Sequence, residues 1–261
     1  MNQQIIDAHI HLDLYKTEDR EVILHDLDKY SINSLISVSK NYQSSLANLK
    51  LYENNNKVKP AIGFHPEQSL PSEEELGDLL QLLENKHDQI VAVGEVGLPY
   101  YVKQEKKQLP LKPYMELLEA FIVQAAKLDK PIILHAIYEH TAIVCDLLEK
   151  HTIKKAHFHW YKGDKKSIER LARNGYFVSI TPDIFYKERT EKLVRQFPIE
   201  QLMVETDGPW PFVGIFTSKM THPKMIHQTM RKIACIKRLN LLETYELLFN
   251  NTQAFFNLDS F

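Results

Sequence analysis

Apolar and polar positions along this chain fall into two alternating kinds of stretch. Short apolar runs, rich in β-branched and aromatic residues, lie near 5–9 (IIDAH), 34–39 (SLISVS), 58–64 (VKPAIGF), 90–95 (IVAVGE), 131–135 (PIILH), 155–159 (KAHFH), 176–180 (YFVSI) and 202–206 (LMVET). Between them, apolar residues recur at spacings of three and four, which predicts helices over 73–83, 114–128 and 141–149. Pro71-Ser72 followed by Glu73, Glu74 and Glu75 places negative charge in a first helical turn, where the helix dipole favours it. The stretch 222–256 reads as two helices split near Asn240. Eight strands alternating with helices predict a parallel sheet closed into a (β/α)8 TIM barrel.

Length agrees with this reading. The chain has 261 residues, 44% hydrophobic, with 8 Gly and 12 Pro, against roughly 250 residues for such a barrel, so one domain over 1–261 is expected. The two cysteines, Cys145 and Cys235, form no C-x-x-C, so neither a disulfide framework nor a thiolate zinc site is indicated. The N-terminal MNQQIIDAHIH has no basic segment or small-residue cleavage site, and no apolar run approaches membrane-span length. A cytoplasmic, monomeric protein is expected. A net charge of −2 argues against a generally basic nucleic-acid coat and leaves local charge placement to attract any polyanion.

The apolar runs end on metal-ligand-type residues: His9 and His11, Glu95, His135, His159 and Asp207. In a strand, residues two apart share a face, so His9 and His11 can converge on one ion with Asp7 a layer deeper. Each residue has a plain structural alternative. His-x-His can be a buried structural pair, Glu95 a salt-bridged loop acid, His135 a core imidazole and Asp207 a turn cap. Their joint recurrence at strand ends, where barrels of this kind do chemistry, points instead to a metal centre.

The segments DAHIHLD, AIGFHPE, AVGEVGLPYY, PIILHA, HWYKG and ETDGPW, in this order, together with the closing LLFNNTQAFFNL, resemble the TatD-type metal-dependent deoxyribonucleases of the amidohydrolase superfamily. The resemblance implies two divalent ions, with His9, His11 and Asp207 on one, His135 and His159 on the other, and Glu95 between them. At HFHWYKG it selects His159 over His157. Mixed His and carboxylate donors suit Zn, Mg, Mn, Ni or Fe. Three features depart from the family pattern: Pro99 where an acid is common, Lys162 where a small hydroxyl residue is usual, and THPKM, with His222 and Pro223, where Arg-Asn-Glu-Pro is expected.

Such a centre hydrolyses with a metal-activated water. Glu95 and Asp207 are the expected catalytic carboxylates, Asp207 taking the water's proton, and His65 is a candidate hydrogen-bond donor or acid. Aromatics and cations follow the strands together: Tyr100 and Tyr101 with Lys103, Lys106 and Lys107; Trp160 and Tyr161 with Lys162, Lys165 and Lys166; Phe185 and Tyr186 with Lys187 and Arg189; Trp210, Phe212 and Phe216 with Lys219. This mixture suits the bases and phosphates of single-stranded DNA or DNA ends, with Tyr100, Trp160, Lys162 and Trp210 as expected contacts. The alternatives are an amidohydrolase-like enzyme acting on a small amide, lactone or ester, and a metal-stabilised binding protein with little turnover.

Overall fold

The computed structural model describes residues 3–260. Its eight parallel strands, in sequential order around the sheet, are β1 (Ile5–Ile10), β2 (Ile32–Val38), β3 (Val58–Ile62), β4 (Ala92–Gly97), β5 (Ile132–His135), β6 (Ala156–Phe158), β7 (Phe177–Ile180) and β8 (Leu202–Val204). Ten helices surround them: α1 (Thr17–His25), α2 (Tyr42–Asn54), α3 (Glu73–Asn85), α4 (Tyr100–Glu105), α5 (Lys112–Lys127), α6 (His140–Lys150), α7 (Lys165–Arg173), α8 (Glu188–Gln196), α9 (Ile226–Lys237) and α10 (Leu241–Phe256). The expected (β/α)8 barrel is the observed fold. The last strand meets the first just beyond the regular ladder. Asp207 N donates to the His9 carbonyl at 2.9 Å and His11 N to the Gly208 carbonyl at 2.8 Å. The Asp7 carboxylate accepts from Thr206 N at 2.9 Å and Thr206 Oγ1 at 2.5 Å.

Helix boundaries follow local chemistry. Ser72 Oγ accepts from Glu75 N at 3.1 Å and starts α3. Asn240 does the same for α10 through Leu242 N at 2.8 Å, which separates α9 from α10 where the sequence places the split. Residues of the predicted final pair that precede α9 form a short 3-10 turn, Pro223–Met225, instead. His222 Nδ1 accepts from Lys224 N there, and proline cannot supply an inner helical amide.

Two apolar layers hold the barrel. Helices pack on the outside of the sheet, whereas Ile6, Ala8, Ile36, Ala61, Ile133 and Met203 fill its inside together with Phe255 and Phe256 of α10. His157 bridges this floor to the histidines, its ring 6.2 and 6.1 Å from the two phenylalanines and 6.4 Å from His9. Glycine permits the closest strand approach. A Cβ on Gly63 would lie 2.6 Å from the Gly94 carbonyl carbon, and one on Gly97 would lie 2.0 Å from the His135 carbonyl oxygen.

Candidate metal centre

Each strand differs from the sequence reading by one or two residues at one or both ends, and the differences in β4 and β6 bear on the site. Glu95 lies inside β4 rather than at its end, and His159 falls one residue beyond β6, in the turn that follows. Gly94 and Gly97 let β4 run on past Glu95, while pairing of β6 with β7 stops at Phe158.

The six sequence-predicted ligand residues converge. Glu95 is fully buried, and its two oxygens face different histidines. Oε2 is 3.2 Å from His9 Nε2 and 3.3 Å from His11 Nε2. Oε1 is 2.7 Å from His159 Nε2, 3.0 Å from His135 Nδ1 and 3.4 Å from His65 Nε2. Asp207 Oδ1 completes the first group, 3.4 Å from His9 Nε2 and 3.5 Å from His11 Nε2.

These atoms fit a divalent cation. Donors about 2.0–2.1 Å from a tetrahedral ion stand about 3.3 Å from one another, and the distances among His9, His11, Glu95 and Asp207 cluster around that value. His9 Nε2, Glu95 Oε2 and Asp207 Oδ1 are buried with no hydrogen-bond partner in the protein. Left unsatisfied, each such group costs about 1–3 kcal/mol. Electrostatics agree. Burial, reinforced by His159, holds His9 well below the usual imidazole range, so its lone pair is free. Burial opposes the charge on Glu95, but the surrounding histidines, His159 foremost, outweigh it and keep the carboxyl well below its ordinary range. Burial pushes Asp207 up to about 7, a cost that a cation beside it removes.

The second group is backed by carboxylates that sequence reasoning passed over. His135 Nε2 is 3.1 Å from Glu67 Oε1. Glu67 also accepts from Tyr101 N and Val102 N, both at 2.8 Å, at the start of α4. His159 Nδ1 lies 3.7 Å from Glu205 Oε1, which accepts from Trp160 N at 2.7 Å, while Glu205 Oε2 accepts from Ser179 Oγ at 2.5 Å. Ser179 Oγ is in turn 2.6 Å from His157 Nε2, so His157 belongs to the support beneath His159. Such outer partners orient a ligand imidazole and raise its basicity. Both acids stand beside quoted motif residues, Glu67 after His65-Pro66 and Glu205 before Thr206-Asp207, and that adjacency is the signal for them.

His65 plays a different part. Its Nδ1 accepts from Glu67 N at 3.1 Å, so its Nε2 carries the proton and points a neutral N–H donor into the centre. Burial lowers its pKa to about 3 and keeps the ring uncharged.

Above the centre is a cavity of about 520 Å³ walled in part by Trp160, Lys162, Tyr101 and Trp210. Three of the four expected substrate contacts therefore face it, and Tyr100 does not. Tyr100 opens α4 and packs on Tyr138 at 4.8 Å, and the next position around the helix, Tyr101, takes the wall. Lys162 is 9% exposed, its Nζ 2.7 Å from the Tyr101 hydroxyl and 4.4 Å from the Trp160 ring centroid. Burial and the Arg189 charge hold this ammonium below the usual lysine range. Trp160 is fixed by Asp183, which accepts its indole N–H at 2.9 Å. Trp160 (φ 36°) and Asp207 (φ 49°) both adopt left-handed backbone that non-glycine residues occupy only where the surroundings enforce it.

The other rim cations expected to grip a strand do not line this cavity. Lys103 Nζ donates to the Leu109 carbonyl, Lys165 pairs with Glu169 and Arg189 leans on Asp183. Lys162 is the one Lys or Arg side chain among the described residues that faces the centre from the cavity wall.

Residues 6–257 match the family model described as TatD related DNase. The chain belongs to the TatD family. An uncharacterized metal-dependent hydrolase of Haemophilus influenzae is 38% identical over 97% of this chain and its own full length. Human deoxyribonuclease TATDN3 is 28% identical over 97% of this chain and 94% of its own. The crystal structure of YjjV, a TatD homologue from Escherichia coli, superposes with a TM-score of 0.88 at 25% identity, covering 98% of this chain and 99% of that one. This TatD-family chain is a metal-dependent hydrolase with a His, Glu and Asp cluster suited to metal. No helix among the described residues is long and apolar enough to cross a membrane.

Proposed function

We propose that this TatD-family protein is a deoxyribonuclease that binds two divalent ions and hydrolyses phosphodiester bonds at the ends of single-stranded DNA. His9, His11 and Asp207 would hold one ion and His135 and His159 the other, with one Glu95 oxygen beside each set. When bound, such ions supply an activated water and Lewis-acid polarisation of a phosphoryl oxygen. The protein's own groups do the rest. Asp207 has a second carboxylate oxygen to accept the water's proton, and the His65 Nε2–H donates to an oxygen of the substrate. Trp160 and Tyr101 exclude water and present aromatic faces to a base.

The observation that carries the reading is Lys162. A buried ammonium with no carboxylate partner, wedged between an indole and a phenol above the centre, calls for an anionic group on the substrate. The TatD related DNase description of the family and the name of human TATDN3 support the same class. The cavity's size matches one small ligand or one terminal residue of a polymer. A cytoplasmic setting belongs to this reading, and the free thiols of Cys145 and exposed Cys235 accord with a reducing compartment.

A small-ester or lactone hydrolase is the second reading, favoured by the acids Glu67 and Glu105 on the same cavity wall. Lys162→Ala separates the two. For a nuclease, the salt slope of oligonucleotide binding becomes shallower by about 0.7 and KM rises on DNA. Parent protein that holds metal, ignores DNA and turns over a neutral lactone or amide overturns the nuclease. Metal retention without turnover of any of these substrates makes the chain a binding protein.

A further inference from the structure

We infer that a second groove, on the far side of the loop that follows β8, tracks the phosphates of a single nucleic-acid strand leaving the first cavity. The inference rests on the nuclease reading above. The groove, of about 660 Å³, lies between the end of α1 with the turn after it and the start of α9. Its charged walls are Lys29, Lys219, Lys224 and Arg231, and no Asp or Glu among the described residues lines it.

Several cations on the outer helices are, by contrast, paired. On the outer helices, Arg170 pairs with Asp146 and Glu149, Lys192 with Glu188, and Lys232 with Glu191. Within the groove Lys29 meets Asp26 at 3.5 Å, but Lys219, Lys224 and Arg231 have no carboxylate within 4.0 Å among the described residues. Lys219 Nζ donates only to the neutral Ile215 carbonyl. Lys29 and Lys224 stand 4.9 and 5.0 Å from the Tyr30 ring centroid, which spaces two ammonium groups along the groove.

An independent observation comes from His222, 1% exposed in the groove lining. Its Nδ1 accepts from Lys224 N at 3.0 Å, so Nε2 bears the proton, and that N–H has no hydrogen-bond acceptor. The Asp26 carboxylate is 3.5 Å away without making the bond. A buried donor held only by one long contact to a carboxylate, beside unpaired cations, is an arrangement that an anion completes.

The loop joins the two sites. Trp210 and Pro211 face the first cavity, whereas Phe216, Lys219, Met220 and His222 face the second. Thr221 Oγ1 donates to the Trp210 carbonyl at 2.5 Å and ties the loop's ends together. Phe216 packs with Phe212 in the cluster that also carries Trp160. The cations are exposed and come from four separate places, rather than converging on one point as a small-phosphate pocket requires. A backbone running past them satisfies them one after another.

The test uses metal-loaded protein and hydrolysis-resistant phosphorothioate oligothymidylates, a dinucleotide and a strand of about twelve nucleotides, titrated at several salt concentrations. The parent is expected to gain affinity with length. Lys224→Ala combined with Arg231→Ala should remove most of that gain and flatten the salt slope by about 0.7 per cation lost. Arg231→Lys, which keeps the charge, should retain the gain, as should Lys192→Ala on the outer wall. A double variant that keeps the parent's length dependence overturns the inference. So does a parent that binds both oligonucleotides equally, which leaves the nuclease reading intact, whereas a parent that binds neither overturns both. Saturable binding of inorganic phosphate, lost in the double variant but with no length effect in the parent, would reassign the groove to a small anion.

Discussion

The two halves of the candidate metal centre contain similar donors and hold them by different means. His9 and His11 stand two residues apart on one strand, and Asp207 is hydrogen-bonded through its backbone to His9 itself. Their outer Nδ1 atoms meet no carboxylate within 4.0 Å among the described residues. His135 ends β5 and His159 lies 24 residues on in the turn after β6, and carboxylates stand behind both. The contrast teaches that backbone geometry positions ligands cheaply when they share a strand or seam. Ligands that end different strands need side-chain buttresses.

The largest effect should come from removing what the halves share. Glu95→Ala deletes the carboxylate facing all five imidazoles, so both proposed ions should be lost from purified protein by elemental analysis. Turnover should fall by more than about 10³, since loss of one preorganised group already costs about 10²–10³. An intact metal complement in that variant would separate the halves entirely. Asp207→Asn touches only the strand-held half. The amide still fills the space but cannot accept a proton, so kcat should drop by about 10²–10⁴ with a much smaller change in KM. Near-parental kcat at equal metal content would remove Asp207 from proton transfer. Glu67→Gln is the mildest and most discriminating change. It should weaken metal by about 10–100-fold in the buttressed half alone, giving two separated steps in a chelator titration where the parent shows a narrower spread. Equal weakening of both steps would show that the buttress acts on the whole centre.

The convergence of the candidate ligands was legible because an imidazole or carboxylate closing an apolar run has little other reason to be there. The barrel was legible for a related reason, since eight such runs leave few topologies for a chain of this length. What escaped was set by direction rather than composition. Glu67 and Glu205 lie inside the quoted AIGFHPE and ETDGPW segments, and only the turns that aim them inward reveal what they support. Tyr100 and Tyr101 are equivalent in sequence, and only the start of α4 decides which one faces the cavity. The rim lysines illustrate the same limit. Proximity to a strand end does not tell whether an ammonium lines the cavity, as Lys162 does, or folds back onto a carbonyl, as Lys103 does.

Closure of the barrel across β8 and β1 has a consequence for biosynthesis. Asp7 and Thr206 meet across 199 positions of sequence, and the seam they close carries His9, His11 and Asp207. A nascent chain that has not yet delivered its eighth strand lacks one carboxylate of the centre, and the other ligands have no closed wall to stand on. Hydrolytic competence therefore arrives late in synthesis, and a truncated or stalled product is inert rather than partly active.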